Sequence, residues 1–174
     1  VNRKQKIVEC YDKLRKELKK EERDVVIKGE TWKNLMQLMA DEFNSISSSA
    51  SSEADIATNI DSQILSLSSY VFAPSGLHEF ELDKERKVNL IKETLGEDNI
   101  IHVIKTKGRI DSKYASFVIE YKHPNAYKTT ADTDRAMRQA LEYLNSLYEE
   151  KEDNYLAVIT DGNRCQFVAF NNQI

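Results

Sequence analysis

The sequence has few of the side chains that build disulfide frameworks and zinc sites, with two cysteines and three histidines among 174 residues. Cys10 and Cys165 lie far apart, form no CxxC pattern and have no histidine at ligand spacing. This distribution argues against a disulfide framework and a zinc site, and it suits a reducing compartment. We interpret both cysteines as buried core thiols.

Long apolar runs are also missing, and none approaches the roughly 20 residues that a membrane-spanning helix requires. The first residue is Val, and no signal-peptide pattern opens the chain. We therefore expect a cytoplasmic domain taken from a larger protein, with no membrane partner. A formal net charge of −4 argues against a general polyanion-binding surface, although local basic patches decide nucleic-acid contact.

Apolar residues at helical spacing predict two helices at the start of the chain, over residues 3–22 and 31–46. The first helix is amphipathic and strongly basic outside its apolar face. For these basic residues we favour a solvated surface over a phosphate-contacting arm, because charged runs commonly only solubilise helices.

A serine-rich tract from Asn44 to Ser52 predicts a flexible join. We place a domain boundary there, between an N-terminal helical extension at 1–50 and a core at 51–174. Ser51 or Ser52 is placed to cap the helix that follows.

One carboxylate of that next helix lies on its apolar face. The face comprises Ala57, Ile60, Ile64 and Leu67. Glu53 precedes Ala57 by four residues and so shares its face, whereas Asp55 and Asp61 fall elsewhere. A carboxylate that points at a packing surface costs free energy unless a positive group meets it, which makes Glu53 a functional candidate.

The rest of the chain predicts a mixed sheet flanked by helices, an α/β (α+β) architecture. The predicted elements are a helix at 84–95, strands at 99–107 and 115–122, a helix at 133–150, and strands at 155–160 and 165–170. Asp83 is placed to cap the first of these helices, and Gly108 permits a turn after the first strand.

The predicted strand at 115–122 sets an acid and a base among apolar residues. Glu120 and Lys122 share one face because side chains alternate along a strand. An antiparallel return would bring Asp111 to the same end of the sheet. Two carboxylates roughly 4 Å apart repel by about 4 kcal/mol at an effective dielectric constant near 20, and a divalent cation removes that conflict. Oxygen ligands alone predict Mg²⁺ or Mn²⁺.

Further side chains are placed to serve such a site. Lys122 would aim its ammonium at a nucleophilic water or a phosphate, and Glu53 would hold a second ion or a metal-bound water. Gln139 and Tyr143 are four apart on a helix and share a face. The candidates for phosphate contact beside Asp111 are Lys105, Lys107, Arg109 and Lys113.

Each of these assignments has a structural alternative. Glu120 and Lys122 are also compatible with a solvent-facing ion pair on an edge strand. Gln139 and Tyr143 are equally suited to hydrogen bonding within the helix layer, and the basic residues are nearly as well explained as a solvated strand edge.

Five motifs in order resemble the PD-(D/E)xK nuclease superfamily, and within it the N-terminal nuclease domains of type I restriction R subunits and of fused restriction-modification enzymes. The motifs are SEADIATNIDSQIL with Glu53, GRID with Asp111, FVIEYKHP with Glu120 and Lys122, RQALEYL with Gln139 and Tyr143, and the closing hairpin VITDGNRCQFVAF. The resemblance covers roughly Ser52 to Phe170. Ile110 replaces the proline of the superfamily name, and Asp161 stands where Asn is frequent.

The resemblance implies a restriction-endonuclease-like fold and a Mg²⁺- or Mn²⁺-dependent DNA endonuclease that hydrolyses phosphodiester bonds. It implies metal ligation by Asp111 and Glu120, with the backbone carbonyl of Tyr121, and catalytic roles for Lys122, Glu53 and Gln139, with Tyr143 at the DNA. The expected partners are DNA, helicase or methyltransferase domains of the parent protein, and a second copy paired transiently on DNA. The alternatives are a catalytically inactive nucleic-acid-binding or scaffolding domain of this fold, and a nuclease specific for RNA or DNA junctions.

Overall fold

The computed structural model describes residues 2–77, 81–95, 101–114, 117–151 and 155–169, and of residues 85–95, 101–108 and 151 it describes the backbone. The chain divides into two compact units, Val1–Glu81 and Leu82–Ile174. The division falls at residue 81, whereas the serine tract placed a boundary near residue 50. The helix that carries Glu53 therefore belongs to the N-terminal unit.

The N-terminal unit is helical. Its helices are α1 (Arg3–Leu18), α2 (Arg23–Val26), α3 (Glu30–Ser49) and α4 (Glu53–Leu67), followed by a π-helical turn (Ser68–Phe72) and a 3₁₀ turn (Ala73–Ser75). The core of the unit is formed by Ile7, Tyr11, Leu14, Val26, Leu35, Met39, Leu67 and Val71. Within the described parts of the chain, no helix combines the length and the apolar character needed to cross a membrane.

The serine tract continues α3 instead of forming a flexible join. The hydroxyl of Ser48 donates to the carbonyl oxygen of Asn44 at 2.8 Å, and that of Ser49 to Ser45 at 2.9 Å. These bonds satisfy the hydroxyls within the helix, so serines are compatible with its last turns. The predicted join is wrong up to Ser49, where α3 ends.

Ser52 caps α4, as one of the two predicted caps. Its hydroxyl oxygen accepts from the backbone N–H of Asp55 at 3.1 Å, which satisfies one of the donors left open at a helix start. Asp55 accepts in turn from the hydroxyl and the backbone N–H of Ser51. These hydrogen bonds hold the pKa of Asp55 below its ordinary value.

Tyr11 is expected to make the stability of the N-terminal unit depend on alkaline pH. Its phenolic oxygen is buried without a hydrogen-bond partner in the described chain, and burial raises its pKa to about 12. Below the ordinary pKa of 10 the phenol is neutral in the folded and in the unfolded chain, so its contribution to stability does not change with pH there. Between pH 10 and 12 the unfolded chain loses this proton first, so stability falls there as pH rises.

We expect Tyr11→Phe to flatten this alkaline loss of stability. At pH 7 the change should be neutral or stabilising by up to about 1 kcal/mol, because it removes an unsatisfied hydroxyl. Urea unfolding at a series of pH values up to 11 measures both effects. Tyr70→Phe, which removes the exposed phenol stacked on Tyr11, is the matched control. Equal pH slopes for wild type and Tyr11→Phe would contradict the assignment.

In its described residues, the C-terminal unit is a five-stranded mixed sheet with one long helix. Its elements are β1 (Leu82–Leu95), β2 (Ile101–Tyr114), β3 (Phe117–Tyr121), α5 (Thr130–Lys151), β4 (Leu156–Thr160) and β5 (Cys165–Ala169). The strands lie side by side in chain order, antiparallel except for β3 and β4, which are parallel and joined through α5. The predicted α+β class, with a mixed sheet and a helical N-terminal part, is confirmed.

Apolar residues of α5 and the sheet form the core of the C-terminal unit. They include Ile110, Val118, Ala136, Ala140, Tyr143, Leu144, Leu147, Ala157, Ile159 and Val168. The core therefore fixes the position of α5 against the strands that carry Asp111 and Glu120.

Residues 84–95 form strand β1, so the predicted helix capped by Asp83 is wrong. β1 pairs with β2 from Leu82↔Tyr114 to Leu95↔Ile101. The helix-forming Lys and Glu residues of this segment indicated a helix, but the long ladder with an Ile- and Val-rich partner outweighs that weak local preference. Gly108, expected in a turn, lies inside β2 opposite Val88.

Both cysteines are free thiols. Cys10 is partly buried, and burial raises the pKa of its thiol. Cys165 is exposed on β5. The interpretation as a core thiol is therefore wrong for Cys165.

Candidate active site

Strands β2 and β3 place Asp111 close to the segment that carries Glu120. The antiparallel ladder pairs Ser112 with Ile119, and Asp111 and Glu120 are the residues that come next on the two strands. Asp111 Oδ2 also accepts a hydrogen bond from the backbone N–H of Tyr121 at 2.8 Å. Asp111 is therefore held next to the neighbour of Glu120, and the convergence of the two carboxylates on a shared cation stays a prediction.

Lys122 forms a shielded ion pair with Glu120. The distance from Lys122 Nζ to Glu120 Oε1 is 2.8 Å, and the side chains are 16% and 5% exposed. β3 lies between β2 and β4, so the alternative of a solvent-facing pair on an edge strand does not hold. Burial of two charges costs several kcal/mol unless they meet, which explains their direct contact.

Helix α5 adds two side chains to this pair. Gln139 Oε1 accepts from Lys122 Nζ at 3.3 Å, and Gln139 Nε2 donates to the Tyr143 phenolic oxygen at 2.7 Å. Burial raises the pKa of Tyr143; the bond from Gln139 opposes this rise, and the charges of Glu120 and Asp111 add to it. Tyr143 therefore interacts electrostatically with both carboxylates.

The basic candidates beside Asp111 differ in their surroundings. Arg109 is exposed, and Lys113 is partly buried; alternation along β2 puts both on the face of Asp111. Lys113 Nζ lies 5.3 Å from the centroid of the Tyr155 ring, a cation–π contact that gives its charge a structural role. Lys105 and Lys107 lie in β2, but their side chains fall outside the described structure.

Glu53 lies in the first turn of α4, where its side chain is exposed. The expectation that it points at a packing surface is wrong, because the buried face of the helix begins one turn later, at Ile56. The helical pattern puts Asp61 off the apolar face, yet Asp61 is the buried carboxylate of α4, with 2% of its surface exposed. A metal-binding role for Glu53 stays a prediction.

A turn between β4 and β5 holds the segment that follows Lys122. The backbone N–H of Lys122 donates to the carbonyl oxygen of Thr160 at 2.9 Å. Arg164 Nη2 lies 3.0 Å from the buried Asp161 Oδ2, and the guanidinium also donates to the carbonyl oxygen of Tyr127 and covers its ring at 5.0 Å. The Asp-Gly pair predicted the turn, but nothing local in the sequence indicated its contact with Tyr127.

The donor set of this site fits a hard divalent cation. Carboxylates such as those of Asp111 and Glu120 are ligands that Mg²⁺ and Mn²⁺ accept, and Mg²⁺ keeps several waters when protein ligands are few. Across the described ranges, no cluster of three or more His, Cys, Asp or Glu side chains is arranged to hold a metal ion. Asp111 and Glu120 would therefore need completion by water or backbone carbonyl oxygens.

No model of a known protein family matches the sequence, and no curated protein matches it at a significant level. The interpretation of the site therefore depends on its own residues and geometry.

Proposed function

We propose that the C-terminal unit is a divalent-metal-dependent DNA endonuclease domain that hydrolyses phosphodiester bonds. Its parent protein would be of the restriction-modification type and would supply helicase or methyltransferase domains. The observation that carries the proposal is the shielded Glu120–Lys122 pair, with Asp111 bonded to the backbone of the residue between them, Tyr121.

The arrangement separates the tasks that phosphodiester hydrolysis requires. Asp111 and Glu120 would hold Mg²⁺ or Mn²⁺, which when bound polarises the phosphoryl oxygen and lowers the pKa of a water. Lys122 provides a positive charge to offset the charge that develops on the phosphoryl group. Gln139 orients the Lys122 ammonium through its amide oxygen at 3.3 Å, and its own amide group is fixed by Tyr143 at 2.7 Å.

The Gln139 contact supports a positioning role within the site. An ammonium with both Glu120 and Gln139 as acceptors is restricted to a narrow range of positions. Such restriction is what transition-state stabilisation requires, because a preorganised charge needs no reorganisation during the reaction.

A cleavage assay tests the proposal. Supercoiled plasmid, a four-way DNA junction and single-stranded RNA are incubated side by side with the protein in Mg²⁺, in Mn²⁺ and in excess chelator. We expect metal-dependent nicking or linearisation of the plasmid. Preferential cutting of the junction or the RNA would reassign the substrate, and intact substrates at high protein concentration would contradict an active nuclease.

A catalytically inactive DNA-binding or scaffolding domain is the second candidate. It is favoured by the direct ion pair, since Lys122 already neutralises the buried carboxylate of Glu120. The two candidates differ in two measurable properties of the same site: an active nuclease binds the metal and cleaves DNA, whereas an inactive domain does neither.

A further inference from the structure

We propose that α1 contacts the DNA phosphate backbone through three lysines, Lys6, Lys13 and Lys16, called here the lysine face. The contact is independent of metal and separate from the candidate active site. The inference deepens the proposed function, on which it rests for the identity of the polyanion as DNA.

The lysine face is a consequence of how α1 packs. Ile7, Tyr11 and Leu14 are buried, while Lys6, Lys13 and Lys16 are all exposed. Lys13 lies seven residues after Lys6, and Lys16 three residues after Lys13, spacings that repeat on one side of a helix. Lys6 and Lys16 are ten residues apart, a rise of about 15 Å along the helix, the length over which one DNA strand presents about four phosphates.

Local acids do not neutralise these lysines. Residues 3–20 hold eight basic side chains and three acidic ones, so positive charge is in excess there, and each acid has a partner other than these lysines. Asp12 pairs with Arg15, Glu17 accepts from the Thr31 hydroxyl at 2.6 Å, and Glu9 accepts from Gln5 Nε2 at 3.3 Å. Within the part of the chain that the structure describes, no ion pair joins Lys6, Lys13 or Lys16 to a carboxylate.

The packing of α1 favours a phosphate backbone over a lipid surface. A basic amphipathic helix binds a bilayer by inserting its apolar face among the acyl chains. In α1 that face is occupied by the core of the N-terminal unit, where Leu14 is 0% exposed. Contact with DNA phosphates requires only exposed ammonium groups, and the lysine face meets this requirement.

Three matched proteins test the inference in excess chelator, where cleavage cannot occur. They are wild type, a lysine-face variant (Lys6→Gln, Lys13→Gln, Lys16→Gln), and a control variant (Arg23→Gln, Lys28→Gln, Lys33→Gln). Both variants remove three exposed positive charges from the same unit, so net charge is matched. In the control set, Arg23 and Lys33 already pair with Asp24 and Glu30.

Fluorescence anisotropy with a labelled DNA duplex gives the affinity and its salt dependence. We expect the lysine-face variant to bind about tenfold or more weakly. Its slope of log affinity against log salt should fall by up to about 2.7, because each phosphate that a lysine neutralises adds about 0.9 to the slope. The control variant should follow wild type. Thermal unfolding checks that both variants fold, which glutamine, a good helix former, permits.

Equal affinity and salt slope for wild type and the lysine-face variant would overturn the inference, as would an equal loss in the control variant. Binding of wild type to phosphatidylserine vesicles but not to the duplex would also overturn it, in favour of a lipid surface. The result is separable from the proposed function. A protein that binds DNA through the lysine face but never cleaves it would refute only the nuclease, and a nuclease unaffected by these substitutions would refute only the lysine face.

Discussion

Replacement of Lys122 is expected to lower the rate of DNA cleavage by about 10²- to 10³-fold, the cost of removing one preorganised charge-stabilising group. DNA binding should survive, because the proposed role of this ammonium is confined to the reacting phosphate. Single-turnover cleavage of supercoiled plasmid in Mg²⁺ measures the rate, and anisotropy in chelator measures binding.

Two substitutions at this position separate charge from packing. Lys122→Ala leaves the carboxylate of Glu120 without its cation, and breaking a buried pair costs about 3–5 kcal/mol of stability. Lys122→Gln keeps a hydrogen-bond donor near Glu120 but removes the positive charge, so it should fold better than Lys122→Ala and still show the lower cleavage rate. Lys28→Ala removes an exposed ammonium in the N-terminal unit and is the control. Cleavage by folded Lys122→Gln at the wild-type rate would exclude the proposed role.

Asp111→Asn is expected to weaken Mn²⁺ binding by at least about tenfold, equal to about 1.4 kcal/mol of binding free energy. Asparagine retains an oxygen that can accept the hydrogen bond from the Tyr121 N–H, so the strand geometry should persist. What it loses is the negative charge that a hard cation requires. Titration calorimetry of wild type and variant with Mn²⁺ measures the difference.

Asp134→Asn is the matched control, since it makes the same chemical change at an exposed position of α5. Asp111→Ala tests the ligand more severely, because it also removes the acceptor for Tyr121. Equal Mn²⁺ affinity in wild type and Asp111→Asn would refute the ligand assignment. A wild-type protein that binds no Mn²⁺ would favour the inactive scaffolding domain.

Local sequence patterns predicted the features that depend on neighbouring residues. The apolar spacing of α1 and α3 identified both helices, and Ser52 was one of two residues expected to cap α4. Alternation along β3 put Glu120 and Lys122 on one face, where the structure pairs them at 2.8 Å. These features could be predicted because they are set by backbone geometry within a few residues.

The errors occurred where partners distant in sequence decide the outcome. Residues 84–95 have the composition of a solvated helix, yet pairing with β2 makes them a strand. For Glu53 and Asp61, the helical pattern did not indicate where the packing surface of α4 begins. The hydroxyls of the serine tract bond back to α3 itself, so its low complexity did not produce a loop.

The sequence by itself determined the carboxylates, the lysine and the basic helix, along with the local geometry that puts Glu120 beside Lys122. Only the tertiary structure decided that Asp111 bonds to the backbone of Tyr121 and that Gln139 reaches Lys122. It also decided that Lys6, Lys13 and Lys16 stay exposed while the apolar side of α1 is buried. The physical reason is that strand register and helix docking are set by contacts between segments far apart in the chain. Local preferences amount to a few tenths of a kcal/mol and carry no information about those contacts.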